Sequence, residues 1–220
     1  MSLGLCGVIL AAGESTRMGR DKALLPWPPG SRPSPGSGQA LSKSAKAGVG
    51  VSAIGTILSA VIQALSQYCD MVIVVAGNNE PALGPVAYGS GAFLVRNPNP
   101  ERGQFSSLQT GLHAVLSRGR DNAMVTLVDR PPPAGETLSQ LVDAFRGREH
   151  GVWAVVPEYQ GKHGHPILVG RELMEAFLRA PASGNAREIE HANQQRIVYL
   201  PVDDSAVATN VDTPEEYAKL

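Results

Sequence analysis

Two cysteines in 220 residues are too few for a disulfide framework. Cys6 and Cys69 each sit in or beside an apolar run, the usual setting of buried free thiols, and a reducing, cytoplasmic environment is expected. An excess of either charge is also missing. Nineteen Lys and Arg against twenty Asp and Glu leave a formal charge of −1. That balance excludes a protein held to nucleic acid by phosphate neutralisation, and equally a strongly anionic surface. No apolar run is long enough to cross a bilayer, so no membrane partner is expected. The stretch from Leu3 to Ala12 has no basic residue before it and runs straight into the charged segment from Glu14 to Lys22. It reads as a strand and a loop, not as a secretory leader. Internal repeats are absent.

What remains is the composition of a globular chain, 43% hydrophobic and 18% charged, expected to form a single domain over residues 1–220. Glycine (24) and proline (17) are plentiful, and they concentrate in one place. In PWPPGSRPSPGSG, residues 26–38, eleven of thirteen positions are Pro, Gly or Ser. Residues from about 27 to 52 are therefore expected to form a semi-extended surface excursion.

Elsewhere, short apolar runs alternate with helical patterns. Leu5–Leu10, Met71–Ala76, Phe93–Val95, Met124–Val128 and Val152–Val156 are β-rich and nearly continuous, as strands covered on both faces are. Ile54, Ile57, Leu58, Val61, Ile62 and Leu65 form one stripe at helical spacing, and Ser106–Arg118 and Thr137–Arg146 repeat the pattern. A tight turn is expected at Tyr159–His163 before a strand at Pro166–Val169. Helices follow at Arg171–Arg179 and Asn185–Asn193, then a strand at Arg196–Val202. A closing helix runs over Pro214–Leu220, with Thr213 as its cap. This alternation predicts an α/β fold: three layers, with a mostly parallel sheet flanked by helices. In such sheets ligands bind at the carboxyl ends of the strands.

The segment Leu10-Ala11-Ala12-Gly13-Glu14-Ser15-Thr16-Arg17-Met18-Gly19-Arg20-Asp21-Lys22 leaves the first strand at that end. Small residues at 11–13 allow close backbone approach to a ligand, and successive N–H groups in such a loop form a concavity for anions. Arg17 and Lys22 add fixed positive charge, the first as a planar fork and the second as a point charge. The set suits a triphosphate. It is neither a Walker loop, lacking Gly-Lys-Ser/Thr, nor the dinucleotide fingerprint. Asp129 ends the apolar strand Met124–Val128, an odd place for an acid unless it has chemistry to perform. Asp212 precedes a helix, where it either serves the cap or, with Asp129, holds one Mg²⁺. Ser106 and Ser107 open a helix, as plain caps or as presenters of N–H groups to an anion. His165 sits between Gly164 and Pro166; His163 and His165 alone make a poor metal site.

The opening string resembles the signature L-A-A/G-G-x-S-x-R-M-G-x-x-K of the molybdenum cofactor nucleotidyltransferases. Asn97-Pro98 with Gly103 and Ser106-Ser107-Leu108, Leu127-Val128-Asp129-Arg130-Pro131, Gly164-His165-Pro166, Gly184-Asn185-Ala186-Arg187 and Asn210-Val211-Asp212-Thr213-Pro214-Glu215 resemble that family's later motifs, in order. The resemblance implies a Rossmann-like nucleotidyltransferase fold. It also implies transfer of a nucleotide from CTP, or another NTP, to a phosphate acceptor, with loss of pyrophosphate. Molybdopterin is the implied acceptor, and a molybdoenzyme or its chaperone the implied partner. By that resemblance Lys22, Arg17 and Asp129 carry the catalysis. Leu10, Ala11, Ala12, Gly13, Arg17, Lys22, Ser106 and Ser107 bind the nucleotide. Asp129 and Asp212 bind Mg²⁺, and His165 lies near the acceptor. In this family an L-A-A-G opening goes with CTP and L-A-G-G with GTP, so Ala12 implies cytosine. A sugar- or polyol-phosphate transferase and a non-catalytic nucleotide-binding or cofactor-delivery module are the competing readings. Arg130 departs from the family pattern, in which a neutral or small residue is more common at that place.

Overall fold

Leu5–Leu10 is apolar or small at every position, and such a strand is stable only with both faces covered. The computed structural model describes residues 4–13, 21–30, 55–181 and 183–220, and it buries all six residues of this strand, β1. Residues 14–20, Arg17 among them, and most of the 27–52 excursion lie outside the described residues. After β1 come a 3-10 turn (Lys22–Leu24), β2 (Pro26–Trp27), β3 (Gly55–Thr56), α1 (Ile57–Ser66), β4 (Met71–Ala76), α2 (Glu80–Gly89) and β5 (Phe93–Arg96). The chain continues through α3 (Gln104–Ser117), β6 (Asn122–Leu127), α4 (Gly135–Arg146), β7 (Ala154–Tyr159), β8 (Lys162–His163) and β9 (Ile167–Gly170). It closes with α5 (Arg171–Arg179), α6 (Ala186–Ala192), β10 (Ile197–Pro201) and α7 (Pro214–Tyr217).

The main sheet runs β10-β7-β9-β6-β1-β4-β5, with β8 on β7. β1 lies parallel to both β4 and β6, and β4 to β5. The exceptions are β8, antiparallel to β7, and after it β9, antiparallel to β6 and β7. Their direction follows from the turn before them. Gln160 and Gly161 both have positive φ, 50° and 75°, which is the conformation of a tight hairpin loop, so the chain reverses instead of crossing over.

Alternation along β1 divides the core into two. Leu5 and Ile9 join Ile57, Ile62, Leu138 and Phe145 on one face of the sheet. Cys6, Val8 and Leu10 join Leu112, Val115, Met174 and Phe177 on the other. Helices α1, α2 and α4 cover the first face and α3 and α5 the second, so the expected three layers are present. Among the described residues no helix is long and apolar enough to cross a membrane.

Some local expectations are corrected. The first long helix starts at Ile57, because Thr56 caps it in a reciprocal capping box with Ser59. β7 starts at Ala154, later than the apolar run beginning at Val152, and extends to Tyr159 because its last residues pair with β8. Helix α2 was not anticipated. Its sequence, EPALGPVAYG, is rich in helix breakers, but Pro81 falls in the first turn and Leu83, Gly84 and Ala87 are buried. The closing helix is a single turn ending at Tyr217.

Candidate functional site

Three adjacent parallel strands, β4, β1 and β6, end side by side, and their pairing extends past the strand ends. Ala11 N donates to Val75 O at 2.9 Å, and Val128 N donates to Leu10 O at 3.1 Å. Ala12, Gly13 and Asp129 thus come out on one edge of the sheet. They line a cavity of about 330 Å³ together with Leu10, Lys22 and Ser107.

The neighbouring strand makes room for this loop. A Cβ on Gly77 would come within 2.8 Å of Ala12 O, so only glycine lets the backbones pass. Asn79, two residues later, clamps both ends of the signature loop. Its Nδ2 donates to Ala11 O at 2.8 Å and to Asp21 Oδ2 at 2.6 Å, while its Oδ1 accepts from Gly77 N at 2.9 Å. Asp21 in turn caps the 3-10 turn by accepting from Ala23 N at 3.0 Å, and this aims Lys22 inward. The Lys22 side chain is only 10% exposed, and its Nζ meets Asp212 Oδ1 at 2.7 Å.

Asp212 reaches this place because the chain returns to β6. Val211 N donates to Asp129 O at 2.8 Å. Capping of α7 falls to Thr213 and Glu216, with Asp212 contributing only its backbone N–H to Glu216 Oε2 at 2.7 Å. Its carboxylate is thereby left for Lys22. Burial raises the pKa of Asp129; Lys22 and Arg130 pull it back, and the charge of Asp212 adds to the rise. Asp129 Oδ1 is buried with no hydrogen-bond partner.

The two serines behave differently from each other. Helix α3 begins at Gln104 with Gly103 as its cap residue, so Ser106 and Ser107 lie inside the first turns and cap nothing. Buried Asn97 holds both hydroxyls, donating to Ser106 Oγ at 2.8 Å and Ser107 Oγ at 3.0 Å. Ser107 lines the cavity; Ser106 donates to Gly103 O at 2.8 Å and fixes the helix entrance. Ala11, 2% exposed, serves the backbone pairing and the Asn79 clamp.

His165 borders a second cavity, of about 590 Å³, which shares Leu10, Gln104 and Leu127 with the first. Burial and the charge of Arg130 push its imidazole pKa down to about 3, so the ring is neutral, and Nδ1 is buried without a partner. Val207 O accepts from His165 N at 2.9 Å and from Arg130 Nη1 at 2.7 Å. A Cβ on Gly164 would lie 2.4 Å from that same oxygen, which explains the glycine before His165.

Sequence reading missed Asn79, and it missed Glu190 and Arg102 on the second cavity. Asn79 had no local cue, since its partners Ala11 and Asp21 lie 68 and 58 positions away. Glu190 had none, since a short polar helix looks like solvated surface.

The family model described as MobA-like NTP transferase domain matches residues 7–197. A probable molybdenum cofactor guanylyltransferase of Mycobacterium avium is 29% identical over 221 residues, covering 100% of this chain and 96% of its own. The molybdenum cofactor cytidylyltransferase of Escherichia coli is 26% identical over 215 residues, covering 96% of this chain and 92% of its own. Among solved structures, Rv0371c of Mycobacterium tuberculosis H37Rv matches with a TM-score of 0.74 at 24% identity, covering 100% of this chain and 97% of that one. Its complex with manganese matches with a TM-score of 0.69 at 23% identity, covering 98% and 97%.

Proposed function

This chain belongs to the MobA-like NTP transferase family, and on that premise we propose that it moves a cytidylyl group from CTP to the phosphate of molybdopterin, releasing pyrophosphate. The observation that carries the reading is the meeting of Lys22, Asp129 and Asp212 at the mouth of a cavity walled by Ala12 and Gly13.

An oxygen of the acceptor phosphate attacks the α-phosphorus of CTP. A new P–O bond forms, and the bond to the α–β bridging oxygen breaks, its electron pair leaving with pyrophosphate. A phosphate monoester is already largely dianionic near pH 7, since its second pKa is about 6, so no side-chain base is needed. The work of the protein is positioning and charge stabilisation. In this reading Leu10, Ala12 and Gly13 cradle the nucleotide, Ala11 anchors that cradle, and Ser107, steadied by Asn97 and Ser106, forms the facing wall. Lys22, with Arg17 of the same sequence motif, neutralises the departing pyrophosphate, and His165 borders the acceptor.

The donor set fits a hard divalent cation: carboxylate oxygens, one of them buried and unpartnered on Asp129. Asp129 and Asp212 would hold Mg²⁺, which when bound supplies neutralising charge to the phosphoryl oxygens. The manganese complex of Rv0371c is a supporting precedent.

The names of the relatives divide between guanylyl and cytidylyl transfer. Cytosine is favoured by Ala12, whose side chain occupies cavity wall that a glycine would leave open. A competition assay with equimolar CTP and GTP tests this: CMP incorporation should dominate, and a clear preference for GTP overturns the base assignment while leaving the transfer intact. A sugar or polyol phosphate is disfavoured by the second cavity, where Leu108, Val125, Val156 and Ile167 give apolar walls suited to a flat heterocycle. Partnership with a molybdoenzyme or its chaperone, in the cytoplasm, follows from the product.

A further inference from the structure

The second cavity contains a carboxylate that the proposed phosphoryl chemistry leaves unused. Glu190, on α6, lines it and is largely withdrawn from solvent, and its carboxylate makes no hydrogen bond or ion pair among the described residues. Burial raises its pKa, and Arg187, one turn earlier on the same helix, only partly opposes the rise. A carboxylate held in a half-apolar cavity without donors costs stability, and such groups persist in binding sites when a ligand supplies the missing donors. Arg102 and Arg187 stand on the same cavity, their side chains also without a hydrogen bond or ion pair among the described residues. The walls between these charges are aliphatic and aromatic. The cavity therefore offers apolar walls, cationic groups for a phosphate and one acceptor pair.

The acceptor pair decides the ligand class. Two carboxylate oxygens match two parallel N–H donors, as in the fork made by a guanidinium. A 2-amino-4-oxopyrimidine ring presents that pattern through its exocyclic amine and the adjacent ring N–H. We propose that Glu190 is a specificity-determining residue of the acceptor subsite, accepting the paired N–H donors of an aminopyrimidinone ring while the cationic side chains attract the acceptor's phosphate. This rests on the acceptor reading above and adds the atom pair that recognises the heterocycle.

The test compares pterin with lumazine, in which the 2-amino group is replaced by a carbonyl. Both are fluorescent, and binding to the full chain is read by titration at pH 7. The wild type is expected to bind pterin about tenfold or more tightly than lumazine, because the carbonyl replaces a donor with an acceptor facing the carboxylate. Glu190→Gln should bring the two within about twofold and leave CTP affinity unchanged. Equal binding of pterin and lumazine by the wild type, no pterin binding at millimolar concentration, or a preference retained in E190Q would each overturn the proposal. The wild-type comparison stands even if E190Q fails to fold. Selective pterin binding without pyrophosphate release from CTP and a molybdopterin acceptor would instead reject the transfer reading and leave Glu190 in its role.

Discussion

In the proposed reaction Asp129 serves function against stability. Its pKa is raised, and burial is the largest cause, so desolvation of the charged form outweighs the attraction of Lys22 and Arg130. A carboxylate raised in the folded state binds its proton more tightly there than in the unfolded chain. Its contribution is favourable at low pH and is lost as pH rises through the folded pKa. Asp129→Asn removes that penalty at neutral pH. The variant should lose roughly 10²–10³ in turnover, the scale of one missing electrostatic group. It should also melt a few degrees above the wild type at pH 7.5, at about 2–4 °C per kcal/mol for a chain of this size. The gap should close as pH falls toward the acidic range, where the wild-type carboxyl is itself neutral. Thermal melts across that range decide it; a variant that melts lower at pH 7.5 would mean that the charged contacts outweigh burial. An acid closing an apolar strand and followed by prolines breaks local logic, and that is why Asp129 was legible in the sequence. Asn79 breaks no such rule. Its importance lies in partners 68 and 58 positions away in the chain, which no local pattern encodes.

Among the elements, legibility follows the strength of the periodic signal. β1, β4 and β6 are almost uninterrupted apolar runs and emerge with boundaries correct to within two residues. Helix α2 stayed hidden because tertiary burial of Leu83 and Ala87 overrides a proline- and glycine-rich propensity. Helix α3 shows the reverse tension. Gly111 sits mid-helix, where glycine costs about 1 kcal/mol relative to alanine. A Cβ there would come 2.7 Å from Val8 Cγ1 and 3.0 Å from Val75 Cγ2, both on stiff, buried β-branched side chains of the central strands. Overpacking of this kind costs about 1–3 kcal/mol, more than the gain in propensity. Gly111→Ala should therefore destabilise by about 1 kcal/mol net in a urea titration. It should also raise KM for the nucleotide, because displacing α3 moves Gln104 and Ser107 in the cavity wall. An unchanged or higher urea midpoint would show that the sheet yields to the methyl group.

At the scale of the whole molecule, the final segment ties the sheet edge to the candidate site. After β10, Val202 N donates to Glu158 O at 2.9 Å on β7. Asp204 then caps the start of α4, accepting from Ala134 N and from Thr137 Oγ1, both at 2.9 Å. Val207 O accepts from His165 N and Arg130 Nη1, Val211 N donates to Asp129 O, and Tyr217 donates its hydroxyl to Pro26 O beside the β2–β3 clasp. The clasp itself pairs Pro26 with Thr56 and Trp27 with Gly55, so the two ends of the excursion meet where the final segment docks. The pair joining the first and last parts of this circuit is Lys22 with Asp212, 190 positions apart. It is well shielded on the lysine side, at 10% exposure, and half-shielded on the other, at 30%, so it should count for more than a surface ion pair. A double-mutant cycle of Lys22→Met and Asp212→Asn, read by urea unfolding, should show each single change costing about 1–3 kcal/mol. The double variant should fall short of their sum by roughly 1 kcal/mol or more. Both single variants should also lose pyrophosphate release, since the same two side chains face the reacting phosphates in the proposed reaction. Strict additivity within about 0.3 kcal/mol would reduce the contact to coincidence and leave Val211 with Asp129 as the tie that closes the site.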